Sequence, residues 1–122
     1  MKFGFPVTER LKSKKIIQSL FPKGKDAFVY PIKVKYILHP TPSNTPPQVL
    51  FTVPKRTFKR AVDRNAIKRL LKEAYRLNKH LLHDEAGNYK IAYIAFVYIA
   101  KEKLPFDTIE RKTISVFERL KG

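Results

Sequence analysis

Between Phe51 and Arg76 the chain carries a dense run of cations: Lys55, Arg56, Lys59, Arg60, Arg64, Lys68, Arg69, Lys72 and Arg76. Only Asp63 and Glu73 oppose them. Arginine forks match phosphate oxygens in a bidentate way, and Asn65 adds both a donor and an acceptor. A helix start adds backbone donors and the positive end of a dipole. A strand that runs into a basic turn and then into a helix with one cationic face can clamp an RNA backbone. The other reading, a solvated face laced with i, i+4 Lys–Glu pairs, fails on sign because acids are so scarce here.

Other chemistry is poorly supported. There is no cysteine, hence no disulfide framework and no cysteine-based metal site. No Ser-His-Asp arrangement can be defended. His80, His83, Asp84 and Glu85 cluster near a helix end. They offer no third ligand of defined geometry, and histidines near a helix C-terminus are common surface residues. His39 precedes a proline-rich loop and carries no signal.

The elements that position the basic run follow from periodicity. Ile67, Leu70, Leu71, Ala74 and Tyr75 recur at i, i+3, i+4, i+7 and i+8, which predicts an amphipathic helix within residues 58–82. Asp63 is its expected N-cap. Ahead of it, Val49–Val53 predicts a short strand that Pro54 ends. Residues 11–21 predict a first helix, with Ile16, Ile17, Leu20 and Phe21 on one stripe and Thr8 or Ser13 as cap. Pro22-Lys23-Gly24 stops it. Phe28–Leu38 alternates apolar residues with Lys33 and Lys35, so one strand face is wet and basic, and Pro31 marks an edge or a bulge. The prolines of residues 39–47 forbid a ladder and predict a loop. Tyr89–Ala100 is apolar almost throughout, as a central strand buried on both faces would be. Asp107 or Thr108 caps a last helix whose Ile109, Ile114, Phe117 and Leu120 face inward. The order predicts an α/β (α+β) sandwich: a small mixed sheet of about four strands packed with three helices, in one domain over residues 1–122.

The bulk charge agrees with the basic run. Lys plus Arg number 26 against 10 acids, a formal net charge of +16 in 122 residues. A compact domain with that excess repels itself, and a polyanion whose condensed counterions are released on binding is the usual partner. A cationic membrane-surface or secreted protein is the alternative. The opening residues lack the apolar run of a signal peptide, and no stretch approaches the ~20 apolar residues of a membrane helix. The expected location is therefore cytoplasmic, without a membrane partner. A helix-turn-helix DNA binder is disfavoured by Pro54 and by the strand that precedes the basic helix.

Lys55-Arg56, then Ala61-Val62-Asp63-Arg64-Asn65-Ala66-Ile67-Lys68-Arg69, then Lys72-Glu73-Ala74-Tyr75-Arg76 resembles the signature of the bacterial ribonuclease P protein family. That pattern has a strand ending in a Lys/Arg pair, then Ala-Val-x-Arg-Asn-Arg-x-Lys-Arg, then a basic–Glu/Gln–small–aromatic stretch. Ala66 stands where the family has its second arginine. The flanks resemble the family more weakly. Residues 10–24 are similar to its opening helix, with Phe21 at the second of two usual aromatics and Ile17 at the first. Tyr36 lies where an aromatic often lines the same cleft. Phe96–Lys101 is similar to the buried strand before the final helix.

The resemblance implies a function. An RNA subunit performs the hydrolysis with bound Mg2+, and the protein contributes no catalytic group and no cofactor site of its own. Lys55, Arg56, Lys59, Arg60, Arg64, Asn65, Lys68, Arg69, Lys72 and Arg76 would bind the ribonuclease P RNA. Ile17, Phe21 and Tyr36 would line a cleft for the single-stranded 5′ leader of precursor tRNA. The alternative for Phe21 and Tyr36 is plain core packing. The resemblance also implies a ribosomal-protein-like domain with a left-handed βαβ crossover, monomeric on its own. The competing function is a ribosomal or other structural RNA-binding protein without a processing role.

Overall fold

The computed structural model describes residues 10–121. Helix α1 spans Lys14–Lys23, followed by strands β1 (Lys25–Val29), β2 (Ile32–Ser43) and β3 (Gln48–Thr52). Helix α2 spans Ala61–Asn78 and runs into a 3-10 turn, Lys79–Leu82. Strand β4 (Tyr89–Tyr98) and helix α3 (Phe106–Lys121) complete the chain. The four strands lie in the order β1-β2-β4-β3, antiparallel except for the parallel pair β3/β4. The sheet is mixed and β4 is central, as its nearly continuous apolar run predicts. Helix α2 is the crossover between β3 and β4. Among the described residues, no helix is long and apolar enough to cross a membrane.

Register divides the side chains between two faces, because cross-strand partners share a face and successive residues alternate. Ile32, Val34 and Tyr36 of β2 lie opposite Tyr98, Phe96 and Ile94 of β4. Val49 and Phe51 of β3 share that face. Helices α2 and α3 cover it, bringing Ile67, Leu71, Tyr75, Ile109, Val116 and Phe117 into the main core. Rings fix the centre: Phe51 stacks on Phe96 at 5.3 Å, and Tyr75 meets Phe117 edge-on at 6.0 Å. Asn78, buried in this layer, donates from Nδ2 to the Ala74 carbonyl and to Glu110 of α3.

Among the described residues, the opposite face is only partly covered. Helix α1 packs there through Ile16, Ile17 and Leu20 against Ile37, Leu50, Tyr93 and Ala95. Leu11 belongs to the same small cluster, but the chain at residues 10–11 is not helical. Arg10 bridges Val49 in parallel, and the Leu11 amide donates to the Val49 carbonyl at 2.9 Å. That strand-like contact protects an edge and delays the helix. Ser13 is its cap, accepting at Oγ from the Ile16 amide. Thr8, the other expected cap, lies outside the described residues.

Several expected boundaries move. The single strand expected over residues 28–38 is a hairpin, since the chain turns at Tyr30–Pro31, a cis peptide. The loop expected over residues 39–47 starts later: β2 continues to Ser43, which pairs with Tyr89 after an irregular stretch from Leu38. The prolines interrupt the ladder there without ending the strand. Helix α2 begins at Ala61 with Arg60 as its uncapped boundary residue, so Asp63 sits in the first turn and not at the cap. The turn at residues 84–88 is tied by Asp84 Oδ1, which accepts from the Ala86 and Asn88 amides, and Gly87 takes the positive φ of 82° that the turn requires.

Candidate nucleic-acid interface

The β3–α2 connection is built as a compact turn. The Thr57 and Phe58 amides both donate to the Pro54 carbonyl. Phe58 is buried and its ring lies 6.1 Å from that of Tyr98. With Phe58 anchored inward, Lys55, Arg56, Lys59 and Arg60 are exposed around it. The spacing of apolar residues in α2 buries Ile67, Leu71, Ala74 and Tyr75. This leaves Asn65, Arg69 and Lys72 exposed along one stripe, with Lys68 half-buried beside it. Eight of the ten predicted RNA-binding residues therefore lie at the turn or on the outward side of α2: Lys55, Arg56, Lys59, Arg60, Asn65, Lys68, Arg69 and Lys72.

The other two are engaged within the protein. Arg64 Nη1 donates to the Phe58 carbonyl at 2.8 Å and to the Lys59 carbonyl at 2.9 Å. Arg76 pairs with Glu73 one turn earlier on α2. That hydrogen-bonded pair lowers the Glu73 carboxyl below its usual range and raises the Arg76 guanidinium. Ala66 lies one turn from Val62 on the helix surface, and Val62 is 59% exposed. On that flank Val62 precedes Ala66 by one turn and Leu70 follows it, with Asp63 and Arg69 three residues to either side.

The loop after β4 extends the basic surface, and sequence reading missed it. Lys103 Nζ lies 2.7 Å from Asp63 Oδ1, so the β4–α3 connection is pinned to the first turn of α2. The hydrogen bond to Lys103 is the main reason the Asp63 carboxyl titrates below its usual value. Tyr98 fixes the same loop from beneath: its hydroxyl donates to the Glu102 carbonyl at 2.6 Å and accepts from the Leu104 amide at 3.1 Å. Burial pushes the Tyr98 phenol up. An open pocket of about 500 Å3, lined by Arg56, Thr57, Ile99 and Lys101, joins this loop to the β3–α2 turn. The hint in the sequence was the trio Lys101-Glu102-Lys103, which strand periodicity leaves unassigned.

The predicted cleft residues do not come together. Ile17 and Phe21 are on α1, over the partly covered face. Ile17 packs inward against the small cluster, and Phe21 is 39% exposed. Tyr36 lies on the opposite face, half-buried against the main core. Its placement in the cleft is corrected by register, since it pairs with Ile94, whose side chain is under α2 and α3. The residues that share the α1 face are Lys33, Lys35, Ile37, Tyr93 and Val97, by alternation from the same ladder. Tyr93 is the strand aromatic beneath α1. Beyond the end of α1, the row Phe28–Lys33–Val97–Thr52 crosses all four strands, with Phe28 and Lys33 exposed. This row, partly exposed among the described residues, reaches Ile99 and hence the Arg56/Lys101 pocket. A sheet surface that mixes apolar, aromatic and cationic side chains suits a single strand, whose bases can stack while its phosphates find lysine and arginine.

Among the described residues, no three His, Asp or Glu side chains come together as a group that could hold a metal ion. His83 lies against Tyr89, ring to ring at 5.5 Å, and its Nδ1 is 2.8 Å from the Asp84 carbonyl.

Comparison with known proteins bears on the family and the fold. The family model for ribonuclease P matches residues 5–121. The ribonuclease P protein component of Porphyromonas gingivalis is 41% identical over 121 residues, covering 98% of this chain and 88% of that protein. Its counterpart in Chlorobaculum tepidum is 34% identical over 128 residues, covering 98% and 82%. Among solved structures, the ribonuclease P protein of Thermotoga maritima superposes with a TM-score of 0.74 at 22% identity, over 93% of this chain and 99% of that one. That of Staphylococcus aureus gives 0.71 at 20% identity, over 93% and 95%. At these identities the two structures speak to the fold.

Proposed function

The chain belongs to the ribonuclease P protein family, and from that premise we propose that its two surfaces divide the work of a tRNA-processing ribonucleoprotein. The basic surface of the β3–α2 turn and α2 binds the catalytic RNA. The sheet face partly covered by α1 holds the single-stranded 5′ leader of precursor tRNA. The RNA subunit carries the hydrolysis and binds the Mg2+ that supplies an activated water and stabilises the developing charge. The protein's residues bind, orient and neutralise. Covering phosphates with Lys68, Arg69 and Lys72 releases counterions and lowers the Mg2+ needed to hold two polyanions together.

The observation that carries this reading is the junction of the surfaces. Arg56 and Lys101 line one pocket, with Arg56 on the turn that begins the cationic helix and Lys101 just past the end of β4. A leader lying across Phe28, Lys33 and Val97 would be delivered to the place where the catalytic RNA is held. An unpaired leader stacking on Phe21 gains about 1–3 kcal/mol per base, which favours precursor over mature tRNA.

The test is the affinity of the assembled RNA–protein particle for precursor with a long leader against mature tRNA. The proposal requires a preference for precursor that falls about tenfold in F21A and leaves mature tRNA binding unchanged. Equal loss for both substrates would assign Phe21 to packing.

A further inference from the structure

Arg64 sits in the most cationic segment of the chain, yet one of its guanidinium nitrogens bonds to the protein's own backbone. Nη1 donates to two consecutive carbonyls, Phe58 at 2.8 Å and Lys59 at 2.9 Å. These carbonyls precede the helix, whose first acceptor is the carbonyl of Arg60, bonded by the Asp63 and Arg64 amides at 3.2 Å each. They have no place in the helix ladder, and the Phe58 carbonyl lies in a part-buried setting. An unmatched carbonyl there is costly, and a charged donor satisfies two at once. Upstream, the turn is held by the Thr57 and Phe58 amides on Pro54 and by the buried Phe58 ring. Arg64 therefore ties the turn to the helix through side-chain hydrogen bonds.

We propose that Arg64 is a positioning residue: its guanidinium fixes the 54–60 turn so that Lys55, Lys59 and Arg60 are aimed together at RNA, and its contribution to binding passes through those three cations. This rests on the reading that the turn and α2 bind the catalytic RNA. It differs from an independent phosphate contact in two measurable ways. Removing Arg64 should loosen the free protein locally. It should also cost little once the cations it aims are gone.

The experiment has two arms. In the first, the free protein is treated briefly with trypsin and the cuts are mapped by mass. R64A should be nicked at Lys55, Arg56, Lys59 or Arg60 about fivefold faster than wild type, while K68A is cut at the wild-type rate. In the second, affinity for a bacterial ribonuclease P RNA is measured through a mutant cycle. R64A alone should weaken binding about tenfold. Added to the K55A/K59A/R60A variant, it should change binding by less than about twofold. R64K serves if R64A does not fold: a single ammonium cannot reproduce a planar fork, so nicking should still rise about twofold with melting retained. Wild-type nicking together with an R64A loss that persists undiminished in the triple variant would overturn the proposal. The trypsin arm uses no RNA, so failure of the RNA-binding reading, seen as unchanged affinity in K68A and R69A, is distinguished from failure of this one.

Discussion

Asp63 Oδ1 lies 2.7 Å from Lys103 Nζ, joining the first turn of α2 to the loop that follows β4. One acid in a strongly basic neighbourhood thus holds two segments of the proposed interface together, and Arg60 approaches the same carboxylate at 3.9 Å. The folded protein lowers the Asp63 carboxyl below its ordinary value of 3.8, chiefly through the Lys103 hydrogen bond. A depressed folded value means the stabilisation is fully present above the unfolded value and is lost as pH falls through the folded one. D63N should therefore melt below wild type at pH 7, and the two should converge as pH drops beneath 3.8. Melting curves between pH 7 and pH 2 measure it; a constant gap throughout would assign the effect to packing.

The cations of α2 should differ in what they give to RNA. Lys72 is exposed on the stripe with Asn65 and Arg69, whereas Arg76 is held by Glu73. K72A should flatten the dependence of log affinity on log salt by about 0.7–0.9, the signature of one lost phosphate contact. R76A should leave that slope nearly unchanged. Titrations of the catalytic RNA at several salt concentrations separate the two, and equal slope changes would mean that Arg76 leaves Glu73 on binding.

Ala66 offers the reverse test. Its neighbours on the helix surface include the exposed Val62 and the exposed Arg69. A66R would place a guanidinium where the family pattern has one. It should steepen the salt slope by about 0.7–0.9 and strengthen RNA binding. No change in slope would show that this flank of α2 faces away from RNA.

Tyr36 and Phe21 should separate by face. Tyr36 packs on the main core, so Y36A should cost about 2 kcal/mol of folding stability, with any loss of binding equal for precursor and mature tRNA. Phe21 is more exposed, so F21A should spare stability and reduce only leader-dependent binding. Denaturant unfolding alongside substrate binding checks both. Leader-specific loss in Y36A with stability intact would contradict the register-based placement.

Much of this was legible in the chain. The 3.6-residue pattern from Ile67 to Tyr75 fixed which side of α2 is buried, and so which cations are exposed. The apolar run of β4 marked the central strand. What escaped depended on partners distant in sequence. Tyr36 and Lys35 are one residue apart, and only the ladder with β4 decides which of them lies under α2 and α3. The pairing of Leu11 with Val49, which shortens α1, needs β3 beside it. Arg64 and Arg76 read as two more cations until their acceptors, the Phe58 and Lys59 carbonyls and Glu73, are in place. Lys103 entered the surface only through Asp63, forty positions earlier in the chain.

The most direct test of the central claim is cleavage of a precursor tRNA by a bacterial ribonuclease P RNA at low Mg2+, with and without this protein. Little cleavage is expected with RNA alone, and cleavage at the mature 5′ end should be restored when the protein is added. RNA binding by the protein with no rise in cleavage would contradict it, and would favour a structural RNA-binding role.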